Sequence, residues 1–144
     1  MVQEYLTETT LHQLEPTYPL NLVVCRRCGL VQLDYIADPT VVFPRSYPYR
    51  TGLTNMLIRN FRDLADTLQI KKYFAPNDLI VDIGSNDGTL LQGFKAKGLR
   101  VLGVEPTDAA KDAKASGIPT LQEYFSAATA KKIINQYGRA TVVT

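Results

Sequence analysis

The clearest chemistry in the sequence lies in a glycine-rich stretch, which reads DIGSNDG at residues 82–88. Gly84 and Gly88 would let the backbone pass close to a ligand, and free N–H groups at the start of the following predicted helix would face it. Asp82 could hold an ammonium group or order the backbone of the stretch. The next predicted strand ends at Glu105-Pro106, where a carboxylate can accept hydrogen bonds from both hydroxyls of a ribose. These residues together indicate a site for a nucleotide-type ligand.

The type of nucleotide follows from the residues between the glycines. The dinucleotide-binding pattern is G-x-G-x-x-G, and Asn86 occupies the position of its second glycine. The carboxylate of Asp87 would repel a pyrophosphate. S-adenosylmethionine has a ribose, a cationic sulfur and an amino-acid tail but no phosphate, so it fits the stretch better than NAD. Two alternatives stay open: an NAD(P)-binding oxidoreductase domain, and a tight turn that binds nothing and is followed by a solvated Glu105.

A second chemical signal is the single C-x-x-C pair formed by Cys25 and Cys28. In a cytosolic protein this spacing indicates metal or redox chemistry rather than a structural disulfide. Structural zinc takes four ligands, whereas the chain has two cysteines and one histidine, His12, in a weakly patterned segment. The pair is therefore either half of a zinc site or a turn with two reduced thiols. A small zinc-binding interaction module, supported by Arg26 and Arg27 alone, is a third function class.

Two tyrosines and an arginine, Tyr47, Tyr49 and Arg50, lead into a predicted helix. Aromatic rings and hydroxyl groups at the start of a helix could form a lid over the nucleotide site. The alternative is an ordinary hydrophobic staple and cap, which would serve the helix alone.

The elements that must position these residues follow from the hydrophobic pattern. Helical spacing from residue 54 predicts a long helix that ends before Pro76 and is capped by Thr51 or Thr54. Residues 20–33 predict two short strands around the cysteine turn, and residues 38–48 predict a loop. The second half alternates apolar runs with Ala- and Lys-rich stretches, which predicts strands at 79–83, 100–104, 118–121 and 140–144 and helices at 88–97, 108–116 and 126–136. This order is typical of a parallel sheet with right-handed crossovers, of which more strands are expected.

Composition and charge exclude several classes of protein. The 144 residues are 45% apolar and 21% charged, which argues against disorder, and no run approaches the roughly 18 apolar residues needed to span a bilayer. The formal net charge is +2 with no basic arm, so nucleic acid is not an expected partner. The acidic N-terminus is not a signal peptide, and we expect a cytoplasmic protein without membrane attachment.

The order of these motifs resembles that of the sugar C-methyltransferases, which methylate a ring carbon of nucleotide-linked deoxy-keto sugars. The resemblance covers about residues 16–144. Tyr18-Pro19-Leu20 and the stretch CRRCGLVQL at residues 25–33 are similar to the second half of their zinc-binding domain, and Tyr47 and Tyr49 to their tyrosine loop. The stretch VDIGSNDGT at residues 81–89 and the stretch GVEP at residues 103–106 are similar to their first two cofactor motifs.

The resemblance implies an α/β fold with a partial doubly wound, Rossmann-like parallel sheet of a class I methyltransferase. The sheet would occupy residues 77–144, after a zinc-ribbon-like β segment with the tyrosine loop at 1–50 and a linking helix at 51–76. It implies S-adenosylmethionine as cofactor, and it implies zinc at Cys25 and Cys28, although family members use two cysteine pairs. The implied cofactor-binding residues are Tyr49, Asp82, Gly84, Ser85, Asn86, Asp87, Gly88, Glu105 and Pro106.

The resemblance also implies a reaction. A base removes the acidic proton beside a keto group, and the resulting enolate attacks the methyl group of the sulfonium. Tyr47, facing the sugar, and Arg50, where members often carry a histidine, are the implied catalytic residues. Because family members are much longer, we expect no turnover by this chain alone. We also expect the bare edge of its last strand to pair with another copy or with a complementing C-terminal half.

Overall fold

The computed structural model describes residues 7–14, 16–71 and 73–144. It divides into two compact units, one ending at Pro44 and the other spanning Arg45–Thr144. The tyrosine pair and the long helix therefore belong to the second unit, whereas the sequence predicts a boundary after residue 50. The expectation about a signal peptide rests partly on residues 1–6 and 15, which lie outside the described residues. Across the described ranges, no helix is long and apolar enough to cross a membrane.

The first unit contains the β-hairpin that the sequence predicts around the cysteines. Strands β1 (Leu22–Val24) and β2 (Val31–Leu33) pair antiparallel, and the turn between them is closed by the Gly29 N–H, which donates to the Cys25 carbonyl at 2.8 Å. Gly29 has φ +75°, a conformation that glycine adopts without strain.

The prediction of a continuous loop over residues 38–48 is wrong at one point. A short helix, α1 (Pro39–Val42), lies within it. Its cap explains the helix, because the Asp38 carboxylate accepts the Thr40 N–H at 2.8 Å and proline occupies the first turn, where its missing N–H costs nothing.

The second unit is built on a four-stranded parallel sheet in the order β5-β4-β3-β6. The strands are β3 (Leu79–Ile83), β4 (Arg100–Val104), β5 (Thr120–Leu121) and β6 (Val142–Val143). The chain moves outward from β3 to β5 and then returns to the other side of β3. This reversal is the mark of a doubly wound sheet and confirms the predicted partial Rossmann-like fold.

Helices cover both faces of this sheet. The helices are α2 (Asn55–Ile70), α3 (Thr89–Lys95), α4 (Ala109–Ala115) and α5 (Ala127–Tyr137). One core cluster joins α2, α3 and α4 to the sheet and includes the fully buried Phe94 and Leu91, while the other joins α5 to the sheet through Ile133. Burial of each such side chain stabilises the fold by about 1.5–3 kcal/mol. The two clusters fix the carboxyl ends of β3 and β4 next to each other.

The start of α2 differs from the prediction. A 3-10 turn, Thr51–Leu53, precedes the helix, and Thr54 stands at the cap position without a capping hydrogen bond from its side chain. Neither Thr51 nor Thr54 is therefore a side-chain cap. The reason lies in the preceding segment, which is held by other parts of the unit as described below.

Candidate functional site

The glycine loop, residues 84–88, and Glu105 lie side by side at the carboxyl edge of the sheet. Glu105 follows β4 and is 5% exposed. One of its oxygens, Oε2, accepts the Asn86 N–H at 2.9 Å, and the other, Oε1, accepts the Thr107 N–H at 2.9 Å. The carboxylate is thus fixed in place by two backbone groups. Since each carboxylate oxygen has two acceptor sites, both oxygens keep capacity for a further donor such as a ribose hydroxyl.

Most N–H groups of the glycine loop are used inside the fold. Those of Gly84 and Ser85 donate to the Val104 carbonyl, at 2.8 and 3.2 Å. The Gly88 N–H donates to the Ser85 carbonyl at 2.9 Å, and the Thr89 N–H to Asp87 Oδ1 at 3.1 Å. The expectation of free N–H groups facing the ligand is therefore wrong for Gly88 and Thr89. A loop with its amides committed in this way is poorly suited to a pyrophosphate, which binds through such groups.

The side chains of Asn86 and Asp87 point to the tyrosine segment, residues 47–52. Asn86 Oδ1 accepts the Thr51 N–H at 3.0 Å, and Asn86 Nδ2 donates to the Tyr49 carbonyl at 3.1 Å. Asp87 Oδ2 accepts the Gly52 N–H at 2.7 Å. Both side chains thus hold the backbone of this segment beside the loop.

Arg50 fastens the same segment to α4. Its Nε lies 2.5 Å from Asp112 Oδ2, and its Nη1 donates to the carbonyls of Tyr47 and Tyr49 at 2.7 and 3.0 Å. The Arg45 carbonyl accepts the Asp108 N–H at 2.7 Å. Arg50 therefore uses its guanidinium to hold the tyrosine segment in place. The resemblance, by contrast, implies a catalytic role for Arg50. Tyr47 and Tyr49 are half-buried.

Asp82 lies at the end of β3 below the loop and is 7% exposed. Burial raises the pKa of this carboxyl to about 6, a hydrogen bond from Thr144 opposes that rise, and the charge of Glu105 adds to it. A carboxyl with such a pKa changes charge close to neutrality, so it would respond to a nearby cation by ionising.

The Ser85 hydroxyl is buried and has no hydrogen-bond partner in the part of the chain that the structure describes. It packs against Gly103 of β4, where an added Cβ would collide with it and would come within 3.0 Å of Thr120 Oγ1. The absence of a side chain at Gly103 therefore leaves the room that Ser85 of the loop occupies. The sequence reasoning missed this role, although a glycine inside an otherwise β-branched strand is a recognised sign of close backbone approach.

A large cavity of the unit borders this site but does not include Glu105. It encloses about 710 Å³ between α2, α3 and α4, and its walls include Arg62 and Gln92 together with Arg50 and Asp87, but neither Gly84 nor Glu105. Its charged groups are partly paired with each other, as in the Lys97–Asp66 ion pair. We place the candidate site at Glu105 and not in this cavity, because the sheet edge brings the predicted residues together there.

The cysteines fit one half of a tetrahedral metal site. Hydrogen bonds from the backbone of Cys28 and then of Arg27 lower the pKa of Cys25, which favours the thiolate that zinc requires. Cys25 and Cys28 are both unpaired thiols. No group of three or more potential ligands occurs among the described residues, and structural zinc takes four ligands, of which Cys25 and Cys28 could supply two.

Two comparisons with known proteins show what the sequence is similar to. Residues 1–43 match a family described as "Putative zinc binding domain", which is associated with methyltransferases. Over 130 residues, or 90% of the chain, the sequence is 35% identical to the C-methyltransferase NovU of Streptomyces niveus. The chain is therefore similar to an N-terminal piece of a C-methyltransferase, and it spans 31% of the length of NovU.

Some residues of this candidate site had no signal in the sequence. Asp112 contacts Arg50 across 62 positions, and the Thr107 N–H donates to Glu105, which any residue except proline could do. The structure brings Tyr49, Asn86 and Glu105 into one connected set of hydrogen bonds. Cys25 and Cys28 belong to the other unit.

Proposed function

We propose that this chain forms the S-adenosylmethionine-binding part of a C-methyltransferase. The supporting observation is the fixed position of Glu105 beside the glycine loop, at the sheet edge where open α/β folds bind ligands. Glu105 would bind the ribose hydroxyls, and Gly84 and Pro106 would flank the nucleoside. Asp82 would face the ammonium group of the methionine part. The bound cofactor would supply an electrophilic methyl group.

The choice of cofactor is tested by calorimetric titration of the 144-residue chain. We expect S-adenosylhomocysteine to bind more tightly than NAD, because the loop offers few free N–H groups to a pyrophosphate. Glu105→Gln should weaken S-adenosylhomocysteine at least tenfold, since hydrogen bonds to a charged group contribute about 1.5–3 kcal/mol. Glu123→Gln, a change on a partly exposed carboxylate elsewhere in the unit, is the matched control. Tighter binding of NAD would favour the oxidoreductase alternative and contradict the proposal.

For the substrate we propose a nucleotide-linked keto sugar. The support is the family resemblance together with the position of Tyr47 and Tyr49, whose segment is bonded to the glycine loop. A methylation next to a keto group needs a placed base and a stabilised enolate oxygen, and a tyrosine hydroxyl near the cofactor could serve either need. The experiment is transfer of a labelled methyl group to a panel of such sugars, with the chain alone and with the remaining part of a C-methyltransferase added. No transfer in either mixture would contradict this substrate class.

For partners we propose association through β6, either with a second copy or with a complementing C-terminal half. One side of β6 pairs with β3, and no strand of the described residues pairs with the other. Next to it lies an apolar groove of about 250 Å³, in which Ile83, Ile134 and Val143 are between 38% and 59% exposed. Sedimentation should show association that Val143→Lys weakens, because a charged residue on an edge strand opposes pairing. Equal association of the unchanged chain and of Val143→Lys would exclude β6 as the site of association.

A further inference from the structure

The tyrosine segment has no regular structure before Thr51, and its backbone is held by side chains from elsewhere in the unit. Asn86 makes two of these contacts, one as acceptor from the Thr51 N–H and one as donor to the Tyr49 carbonyl. The Asn86 side chain thus binds a carbonyl and the N–H two residues later. The backbone of a neighbouring β-strand would make the same pair of hydrogen bonds. Asparagine supplies both partners from one group, whereas aspartate would offer acceptors alone.

The backbone of Asn86 also has a conformation that few residue types adopt. Asn86 has φ +49°, and the described residues include one other non-glycine with a left-handed backbone, Asn77 at φ +68°. Asparagine tolerates this conformation better than most residues do. In that conformation the Asn86 N–H donates to Glu105 Oε2 while its side chain extends to the tyrosine segment. One residue therefore touches both the carboxylate and the segment that carries the tyrosines.

We propose that Asn86 is a positioning residue that sets the tyrosine segment relative to Glu105. The part of this inference that concerns a cofactor rests on the proposed function. A ligand bound by Glu105 would then stabilise the bonded position of Tyr49, and an ordered segment would in turn favour the ligand, because coupling between two sites is reciprocal. Asp87 and Arg50 support the same position through Gly52 and through the tyrosine carbonyls.

The direct test is amide hydrogen exchange followed by NMR on the 144-residue chain. The variant is Asn86→Gly, because glycine keeps the left-handed backbone and the N–H to Glu105 while deleting both contacts to the segment. The readout is the Gly52 N–H, which Asp87 binds and which exchanges when the segment leaves the loop. We expect its exchange to accelerate on the order of tenfold, since the variant lacks both hydrogen bonds to the segment. The amide of Leu102 in β4 should not change, which shows that the fold is intact.

A second variant removes the same contact from the other side. Thr51→Pro deletes the N–H that Asn86 accepts, and Arg50, with φ −129° and ψ 125°, already has the extended backbone that precedes a proline. We expect faster Gly52 exchange in this variant as well. The double variant should exchange no faster than Asn86→Gly alone. The matched control is Asn77→Gly, which replaces the other left-handed asparagine and should leave Gly52 unchanged. Unaltered Gly52 exchange in both Asn86→Gly and Thr51→Pro would overturn the proposal.

Exchange measured with a ligand distinguishes this proposal from the proposed function. S-adenosylhomocysteine should slow Gly52 exchange in the natural chain and lose that effect in Asn86→Gly. Equal slowing in both proteins would overturn the coupling through Asn86. If S-adenosylhomocysteine does not bind the natural chain, the proposed function is contradicted, and the exchange rates without ligand still decide whether Asn86 positions the segment.

Discussion

The hydroxyl of Thr144 donates to Asp82 Oδ1 at 3.1 Å and so connects the end of β6 to the end of β3. This hydrogen bond favours the charged form of a carboxyl that burial drives toward the protonated form. Burial is the stronger effect, so the pKa of Asp82 rises to about 6. The stability of the unit should therefore carry a pH dependence that one residue produces.

The direction of this pH dependence follows from the Asp82 pKa in the folded and in the unfolded chain. In the unfolded chain the Asp82 pKa is near 3.8, and in the folded chain it is about 6, so the folded chain binds the proton more tightly. Asp82 should therefore make the unit less stable as the pH rises from about 3 to about 7, by about 3 kcal/mol in total. Asp82→Asn, which keeps the acceptor for Thr144, should remove this contribution. Urea unfolding of both proteins across this pH range measures the difference, with Asp63→Asn on the surface of α2 as control. Parallel stability curves for the natural chain and Asp82→Asn would contradict the prediction.

Removal of the Glu105 carboxylate should cost stability as well as ligand affinity. Glu105→Ala leaves the N–H groups of Asn86 and Thr107 buried without their acceptors, and each loss costs about 1–3 kcal/mol. We expect a fall of about 2–5 kcal/mol in the free energy of unfolding, measured in urea. Glu105→Gln should lose less, because one oxygen remains. Glu123→Ala, which removes a partly exposed ion pair with Lys132, should change stability by about 1 kcal/mol or less. Similar losses for the two alanine variants would show that Glu105 does not hold these backbone groups.

Gly103 should be intolerant of a single added methyl group. In Gly103→Ala the new Cβ collides with the Ser85 hydroxyl, and we expect a loss of about 1–3 kcal/mol from overpacking. Ser85→Gly in the same chain should recover part of that loss, because it removes the obstructing side chain. Ser85→Ala alone should be neutral or stabilising, since its hydroxyl has no partner among the described residues. Thermal unfolding of these variants forms a double-mutant cycle, and strict additivity would refute the contact.

Zinc should be bound at less than one ion per chain, and any bound zinc should be shared between two chains. Cys25 and Cys28 are the two cysteines of the sequence, and a four-ligand site would require a second pair from a neighbouring chain. In Val143→Lys, in which association through β6 is weakened, elemental analysis of gel-filtration fractions should find zinc in the dimer and little in the monomer, and a chelator should convert dimer to monomer. Cys28→Ser should abolish both the zinc and the chelator effect. A monomer that holds one zinc tightly would contradict this prediction.

The sequence predicted the sheet and its helices because their residues follow regular patterns. The apolar runs of β3 and β4 and the strand-helix alternation are local features, and they determine which carboxyl ends meet at one edge. For this reason Glu105 could be placed beside the glycine loop from sequence. The hairpin around Cys25 was predictable in the same way, from a turn glycine between two apolar runs.

The contacts of the tyrosine segment could not be predicted, because they depend on packing between distant parts of the chain. Asn86 and Thr51 are 35 positions apart, and they meet because α2 packs on α3, where Gly93 allows the Ala65 side chain a close approach. Arg50 and Asp112 meet for a similar reason. Sequence patterns indicate that such polar residues are available, but their partners depend on the angle between helices, which the pattern does not contain.

The hydrogen bonds of the glycine loop also affect the entropy of ligand binding. With four of its N–H groups bonded to Val104, Ser85 and Glu105, the loop has few conformations left to lose when a ligand arrives. The entropic cost of ordering it is incurred when the chain folds, and it does not recur with each binding event. Ligand affinity at this edge should therefore depend on the contacts that a ligand makes and only weakly on the flexibility of the loop.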